Sequence, residues 1–152
     1  MASMIGSKVE RKEDKKFLTG KGRYTADITL HNQSYAVFIR SPHARAKIKG
    51  IDTAKAKKAS GVIDVLTGKD LADDKIGGLI AGWKIVSKDG TDMKCPAHPA
   101  LATDTVNYVG DHVALVIAES LQEAKDAADL VNVDYKVLKA VANTGDAMNA
   151  EA

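Results

Sequence analysis

A chain of 152 residues can bury one substantial core and is short for two ordinary domains. Its apolar fraction of 45% and charged fraction of 28% exclude a disordered or fibrous protein, and its longest apolar run, residues 113–118, falls far short of the ~20 residues a membrane helix needs. A lone cysteine, Cys95, excludes an internal disulfide. The N-terminal stretch MASMIGSKVERKEDKK has no apolar core of a secretory signal, so the reading is a soluble, cytoplasmic protein.

The net charge of +2 hides an asymmetry: residues 1–23 carry seven Lys/Arg against three acids, residues 40–58 seven against one, and the remainder eight against sixteen. No aromatic residues interleave the basic stretches as base stacking would require, so solvated faces are favoured over a nucleic-acid surface.

In chain order, residues 1–23 are polar, punctuated by Gly6, Gly20 and Gly22, and read as an irregular basic arm pinned to the body by Phe17 and Leu18. Residues 34–39 (SYAVFI) predict a strand. Ser41-Pro42-His43 ends it, because proline cannot donate to a ladder and drives Ser41 towards extended backbone. Residues 46–51 alternate apolar and basic, the pattern of a second strand joined to the first as a hairpin at the Pro-marked turn. Asp52 or Thr53 then offers an N-cap for a short helix carrying Ala54, Ala56 and Ala59, with Gly61 at its end. Residues 62–66 (VIDVL) read as a strand, and 67–71 (TGKDL) can start another helical turn. Residues 73–104 hold four glycines, two prolines and Trp83 without sustained periodicity, a longer loop than compact domains usually carry.

The last third is more regular. Residues 106–109 and 113–118 read as two strands around Gly110-Asp111, the second apolar enough to be buried on both faces. Ser120 and Glu123 form a capping box. Leu121, Ala124, Ala128 and Val131 then recur at helical spacing, predicting a helix over 121–131. Residues 131–135 (VNVDY) alternate as a final strand. The order β-β-α-β, loop, β-β-α-β predicts an α+β (mixed α/β) fold, a mixed sheet flanked by short helices.

Chemistry is sparse. His31, His43, His98 and His112 lack any metal-binding spacing, and Cys95 has no assigned basic neighbour to activate it. Gly20-Lys21-Gly22 and Gly68-Lys69-Asp70 do not complete a phosphate loop, and Asp70 would repel a phosphate, so both read as turns. Ser41 and His43 lack a nucleophile elbow and an orienting acid. Asp111 can serve as that acid only if the fold brings it near, and a polar turn set by Pro42 is the favoured reading. No catalytic, cofactor-binding or metal-binding residue is assigned.

Taken in order, however, the segments IGSKVERKEDKKFLTGKGRYTADI, FIRSPHARAKIKGIDTAKAKKASGVIDVLTGKDL, HPALATDTVNYVGDHVALVIAES and EAKDAADLVNVDYKVLKAV resemble the start of the molybdenum hydroxylase large subunit. This is the carbon monoxide dehydrogenase, aldehyde oxidase and xanthine dehydrogenase family, and the resemblance is nearest to the carbon monoxide dehydrogenase large chain. It covers roughly residues 5–148. It implies an α/β hammerhead domain over 24–148, between the basic arm of 1–23 and a tail of 149–152. In the family this domain packs against larger domains that hold the molybdopterin cofactor and perform the oxidoreductase chemistry. Their pterin-contacting segments and catalytic glutamate have no counterpart here, and Cys95 does not match the cysteine-bearing active-site loop of true carbon monoxide dehydrogenases. Two departures stand out: Arg45 replaces the second histidine of the family's R-S-P-H-A-H-A, and the N-terminal arm is more basic.

The resemblance therefore implies a scaffold domain that is not catalytic by itself. Its partners are the molybdopterin-binding domains or chain of the same enzyme, and Arg40, Ser41, Pro42, His43, Gly110 and Asp111 are the interface candidates. Assembly in trans as a separate small subunit of an active oxidoreductase is the alternative, and a binding module for an acidic partner a lesser one. An apolar face left uncovered also makes a homo-oligomer an expectation.

Overall fold

The computed structural model describes residues 5, 6, 8, 10–80 and 82–149. Of the expected tail, residues 150–152 lie outside these, as do residues 1–4, 7 and 9 of the arm. The chain divides into two compact units, Met1–Gln33 and Ser34–Ala152.

In the first unit one turn of helix, α1 (Asp14–Leu18), precedes a 3-10 turn at Thr25–Asp27. The turn is capped by Asp27, whose carboxylate accepts from the Tyr24 N–H at 2.8 Å. Phe17 stacks on Tyr24 with ring centroids 4.9 Å apart. Gly22 makes this stack possible, since a Cβ there would lie 2.0 Å from Phe17 Cδ1. Phe17 thus finds its aromatic partner just past the arm, within the first unit, while Leu18 is exposed.

The described residues of the second unit form six strands, β1 (Tyr35–Arg40), β2 (Ala46–Asp52), β3 (Val62–Thr67), β4 (Thr105–Val106), β5 (His112–Ala118) and β6 (Asn132–Val137). Its helices are α2 (Gly68–Asp73) and α3 (Leu121–Ala128). The α+β class expected from the sequence is the class observed. The single mixed sheet is replaced by two three-stranded sheets, β1-β5-β3 and β4-β2-β6. Every described strand pair is antiparallel.

This arrangement corrects two local expectations. β1 and β2 are not a hairpin: the Ser-Pro-His turn carries the chain from one sheet to the other, and β1 pairs with β5 while β2 pairs with β6. Nor do residues 106–109 pair with β5. The strand stops at Val106 and lies on β2 instead.

Each sheet has its own core. Val116 on β5, Val65 on β3, Ala56 and Ala127 form one buried cluster beneath α3, joined by Ile39, Val62 and Val131. Val113 on β5, Val106, Ala46 and Ala102 form the other, against Ile48, Ile51, Val133 and Tyr135. β5 feeds both clusters because consecutive residues Val113 and Ala114 face opposite ways and are both fully buried. Truncating Val116 or Val113 to alanine removes two buried methyl groups and should cost roughly 2 kcal/mol.

The helix expected over 54–59 contracts to a 3-10 turn at Ala56–Lys58. A segment this short cannot offset the cost of nucleation, and its closely spaced lysines repel. Gly61 follows at φ +70°, where its open side admits the Glu123 carboxylate. That carboxylate accepts from the Ser120 hydroxyl at 2.7 Å, while Ser120 Oγ accepts the Glu123 N–H at 3.2 Å. α2 is capped likewise: the Thr67 N–H and hydroxyl both donate to Asp70, at 2.7 and 2.6 Å. Those two bonds hold the Asp70 carboxyl below its ordinary 3.8, the hydroxyl bond contributing most. Gly68 packs on the backbone of Leu101 and Ala102 and fixes the far end of the long loop.

Candidate functional site

The six residues singled out at two distant points of the chain meet at one corner. β1 ends in a register shift after Ile39, so Arg40 stands opposite His112. From there Ser41 and the Gly110-Asp111 turn lock together. The Ser41 N–H donates to the Asp111 carbonyl at 2.8 Å, and the Gly110 N–H donates to the Ser41 carbonyl at 2.8 Å. Arg40 Nη1 donates to the Gly110 carbonyl at 3.2 Å. Gly110 sits at φ +93°, a conformation that favours glycine, which is why the turn can present both of its amide groups to β1.

Ser41 and Asp111 are the buried polar residues among those described, 2% and 7% exposed. Burial on that scale requires internal partners. Ser41 Oγ accepts the His43 N–H at 3.0 Å and donates to the His43 carbonyl at 3.1 Å, holding the turn around exposed Pro42. Asp111 Oδ2 accepts the Asn107 N–H at 3.0 Å, and the Asp111 N–H donates to the Tyr108 carbonyl at 3.2 Å.

Two tyrosines complete the corner. The Tyr135 hydroxyl lies near the Ser41 side chain, and the His43 ring stands edge-on to Tyr135 at 5.0 Å. Burial pushes the Tyr135 phenol above its ordinary 10.0; the nearby Ser41 side chain opposes this and the Asp111 charge reinforces it. Tyr108, 44% exposed, lies close to the Asp111 carboxylate. Its phenol is raised first by loss of water and next by that negative charge, against Arg40. Sequence reading passed over both tyrosines and Asn107. For Tyr135 a signal existed, since the alternation in VNVDY puts it on the inner face of its strand.

Such a corner is poorly suited to nucleophilic chemistry. The Ser41 hydroxyl is held by the backbone of His43, not its imidazole, and Asp111 anchors a loop amide instead of orienting the histidine. His112 stacks on Phe38 at 4.3 Å, with the Arg40 guanidinium 5.9 Å from the Phe38 centroid. A cleft of about 450 Å³ opens beside the corner, lined by Pro96, His98, Pro99, Asn107, Tyr108 and Asp111, among others. Molybdopterin bears a phosphate and needs converging N–H or cationic donors. The cleft's lining carries the Asp111 carboxylate and no Lys or Arg, which does not fit a phosphate.

Between α2 and β4 the long loop has the opposite character. Isolated bridges tie Leu79 to His98 and Val86 to Asp92. Ile80 is 92% and Trp83 83% exposed, with Ile76, Leu79, Ile85 and Val86 also open to solvent. Cys95, half-buried, lies in the same loop with a free thiol.

Residues 19–139 match the family model described as aldehyde oxidase and xanthine dehydrogenase, a/b hammerhead domain. The chain belongs to that family. Among curated relatives, the hammerhead domain is 41% identical to the nicotine 6-hydroxylase large subunit of Paenarthrobacter nicotinovorans, a match covering 91% of this chain and 16% of that protein. It is 37% identical to the carbon monoxide dehydrogenase large chain of Afipia carboxidovorans, over 97% and 17% of the two chains. Among solved structures it superposes on quinoline 2-oxidoreductase from Pseudomonas putida 86 with a TM-score of 0.84 at 37% identity, covering 97% of this chain and 18% of that one. The hammerhead chain thus spans about a sixth of the length of these relatives. Since the family is one of molybdenum hydroxylases, the cofactor belongs to other domains of those larger proteins.

Proposed function

We propose that this hammerhead domain is a scaffold of a molybdenum hydroxylase large subunit, contributing a docking surface and no reacting group. The observation that carries the reading is the contrast between its corner and its loop. The Ser41 hydroxyl and the Asp111 carboxylate, groups that would serve chemistry, each brace their own turn, and backbone bonds lock the two turns together, while large apolar side chains of the loop stand in water. Exposed apolar groups gathered in one segment mark an interaction surface, and the partner with the matching need is the cofactor-bearing remainder of the enzyme. Arg40, Pro42 and Val109 rim the corner and extend that surface. The reading holds whether the cofactor-binding domains lie in the same polypeptide or in a separate chain.

A domain shared by relatives named for nicotine, carbon monoxide and quinoline chemistry is a poor place to encode substrate choice, which we assign to the partner domains. The single cysteine suits a reducing, cytoplasmic setting. The test is assembly. Cofactor-binding domains of the family, co-expressed with this chain, should co-purify with it and gain activity. Stoichiometric molybdenum on the chain purified alone would overturn the scaffold reading, as would activity of the partner domains that is indifferent to its presence.

A further inference from the structure

We propose that the open edge of β6 is a self-pairing surface, joining two copies of this chain through an antiparallel β6–β6′ contact about a two-fold axis at Tyr135. β6 ends its sheet: β2 lies on one side, and no described strand lies on the other. The Leu138 N–H donates to the Arg45 carbonyl at 3.0 Å. Amides alternate along a strand, so those of Val133, Tyr135 and Val137 point away from β2, towards the open edge.

Residues 133–137 read Val-Asp-Tyr-Lys-Val, symmetric in size and opposite in charge about Tyr135. Two-fold antiparallel pairing there sets Tyr135 against itself and Val133 against Val137′ on the inner face. On the outer face it sets Asp134 against Lys136′, twice. Opposed charges and apolar pairs favour such a register. Moving the axis to Asp134 or Lys136 would instead oppose like charges.

Three of these groups are incompletely partnered within one chain. Lys136 stands opposite Lys47 across the β2–β6 pair, and no described carboxylate lies within ion-pair distance of it. Asp134 has only Lys49, 3.7 Å away and half-exposed. Val137 is 63% exposed. Self-pairing supplies each with a complement and would run the two β4-β2-β6 sheets into one. It uses a strand edge, not the loop assigned above to the cofactor domains, and does not depend on that assignment. Two strands bury little area, so the dimer should be weak, with a Kd on the order of 10–100 µM.

Sedimentation velocity on the 152-residue chain from about 10 to about 500 µM tests this range directly. A reversible monomer–dimer equilibrium is expected. Val137→Pro should remain monomeric while keeping its thermal transition, because the N–H it loses faces the open edge and not β2. Asp134→Lys and Lys136→Asp should each weaken dimerisation about tenfold or more, and the double variant should restore it, since the swapped charges again oppose. If Val137→Pro fails to fold, the charge-swap rescue decides by itself. A chain monomeric at every concentration, or a dimer unaffected by the charge variants, overturns the proposal.

Discussion

The corner of Ser41 and Asp111 and the loop between α2 and β4 are both irregular backbone, yet they solve opposite problems. At the corner the chain must cross between sheets through a buried region, so each polar group there needs an internal partner. It finds them at long range, Arg40 and Ser41 bonding to Gly110 and Asp111 some seventy residues away. The loop has few such bonds and leaves Ile80 and Trp83 almost bare. Polar residues that look reactive in sequence therefore act as structure, and the segment that looks merely unstructured holds the surface with unfinished contacts.

Substitutions can break this comparison. Gly68→Ala should have the largest effect on stability: its Cβ would lie 2.5 Å from the Ala102 carbonyl oxygen, backbone that cannot swing aside. A loss of about 3 kcal/mol in urea unfolding is expected. Asp111→Ala should follow, at about 2 kcal/mol, because the Asn107 N–H loses its acceptor beside a buried turn. Ser41→Ala should cost about 1 kcal/mol in the same assay, since His43 loses its cap but its backbone can reach water. Ile80→Asp and Trp83→Asp should change stability by less than about 0.5 kcal/mol, exposed side chains having little to lose. Loop variants costing more than the corner variants would reverse the assignment of roles.

The smallest effect is a pH dependence. Tyr135 has its phenol raised in the folded chain, so the neutral form is favoured by folding. The stability it contributes is complete below 10.0, its ordinary value, and is lost as pH rises through the raised one. Thermal melts should show an alkaline decline that Tyr135→Phe reduces. An unchanged decline would mean that the ring does not ionise at the corner.

Much of the fold was legible because period and capping are local signals. The alternation in residues 46–51 and the Ser120–Glu123 box named β2 and the start of α3 within a residue or two. Strand pairing was not legible, because alternation says which face a residue takes and nothing about its neighbour. Ser-Pro-His looked like a hairpin turn for that reason, although Ile39 goes to the core under α3 and Ala46 to the other core. The corner was half legible. Arg40, Ser41, Gly110 and Asp111 stood out as turn chemistry, but only the fold joins them, and Tyr135 enters through a strand register that no local pattern encodes.

The most direct measurement is binding of the cofactor-bearing domains to the intact chain, to Trp83→Asp with Ile80→Asp, and to Ser41→Ala, followed by titration calorimetry at one temperature. The scaffold reading expects the loop double variant to lose binding by about a hundredfold or more while keeping its melting temperature. Ser41→Ala should bind nearly as the parent does, despite its lower stability. Undiminished binding by the loop variant, or loss confined to Ser41→Ala, would contradict it.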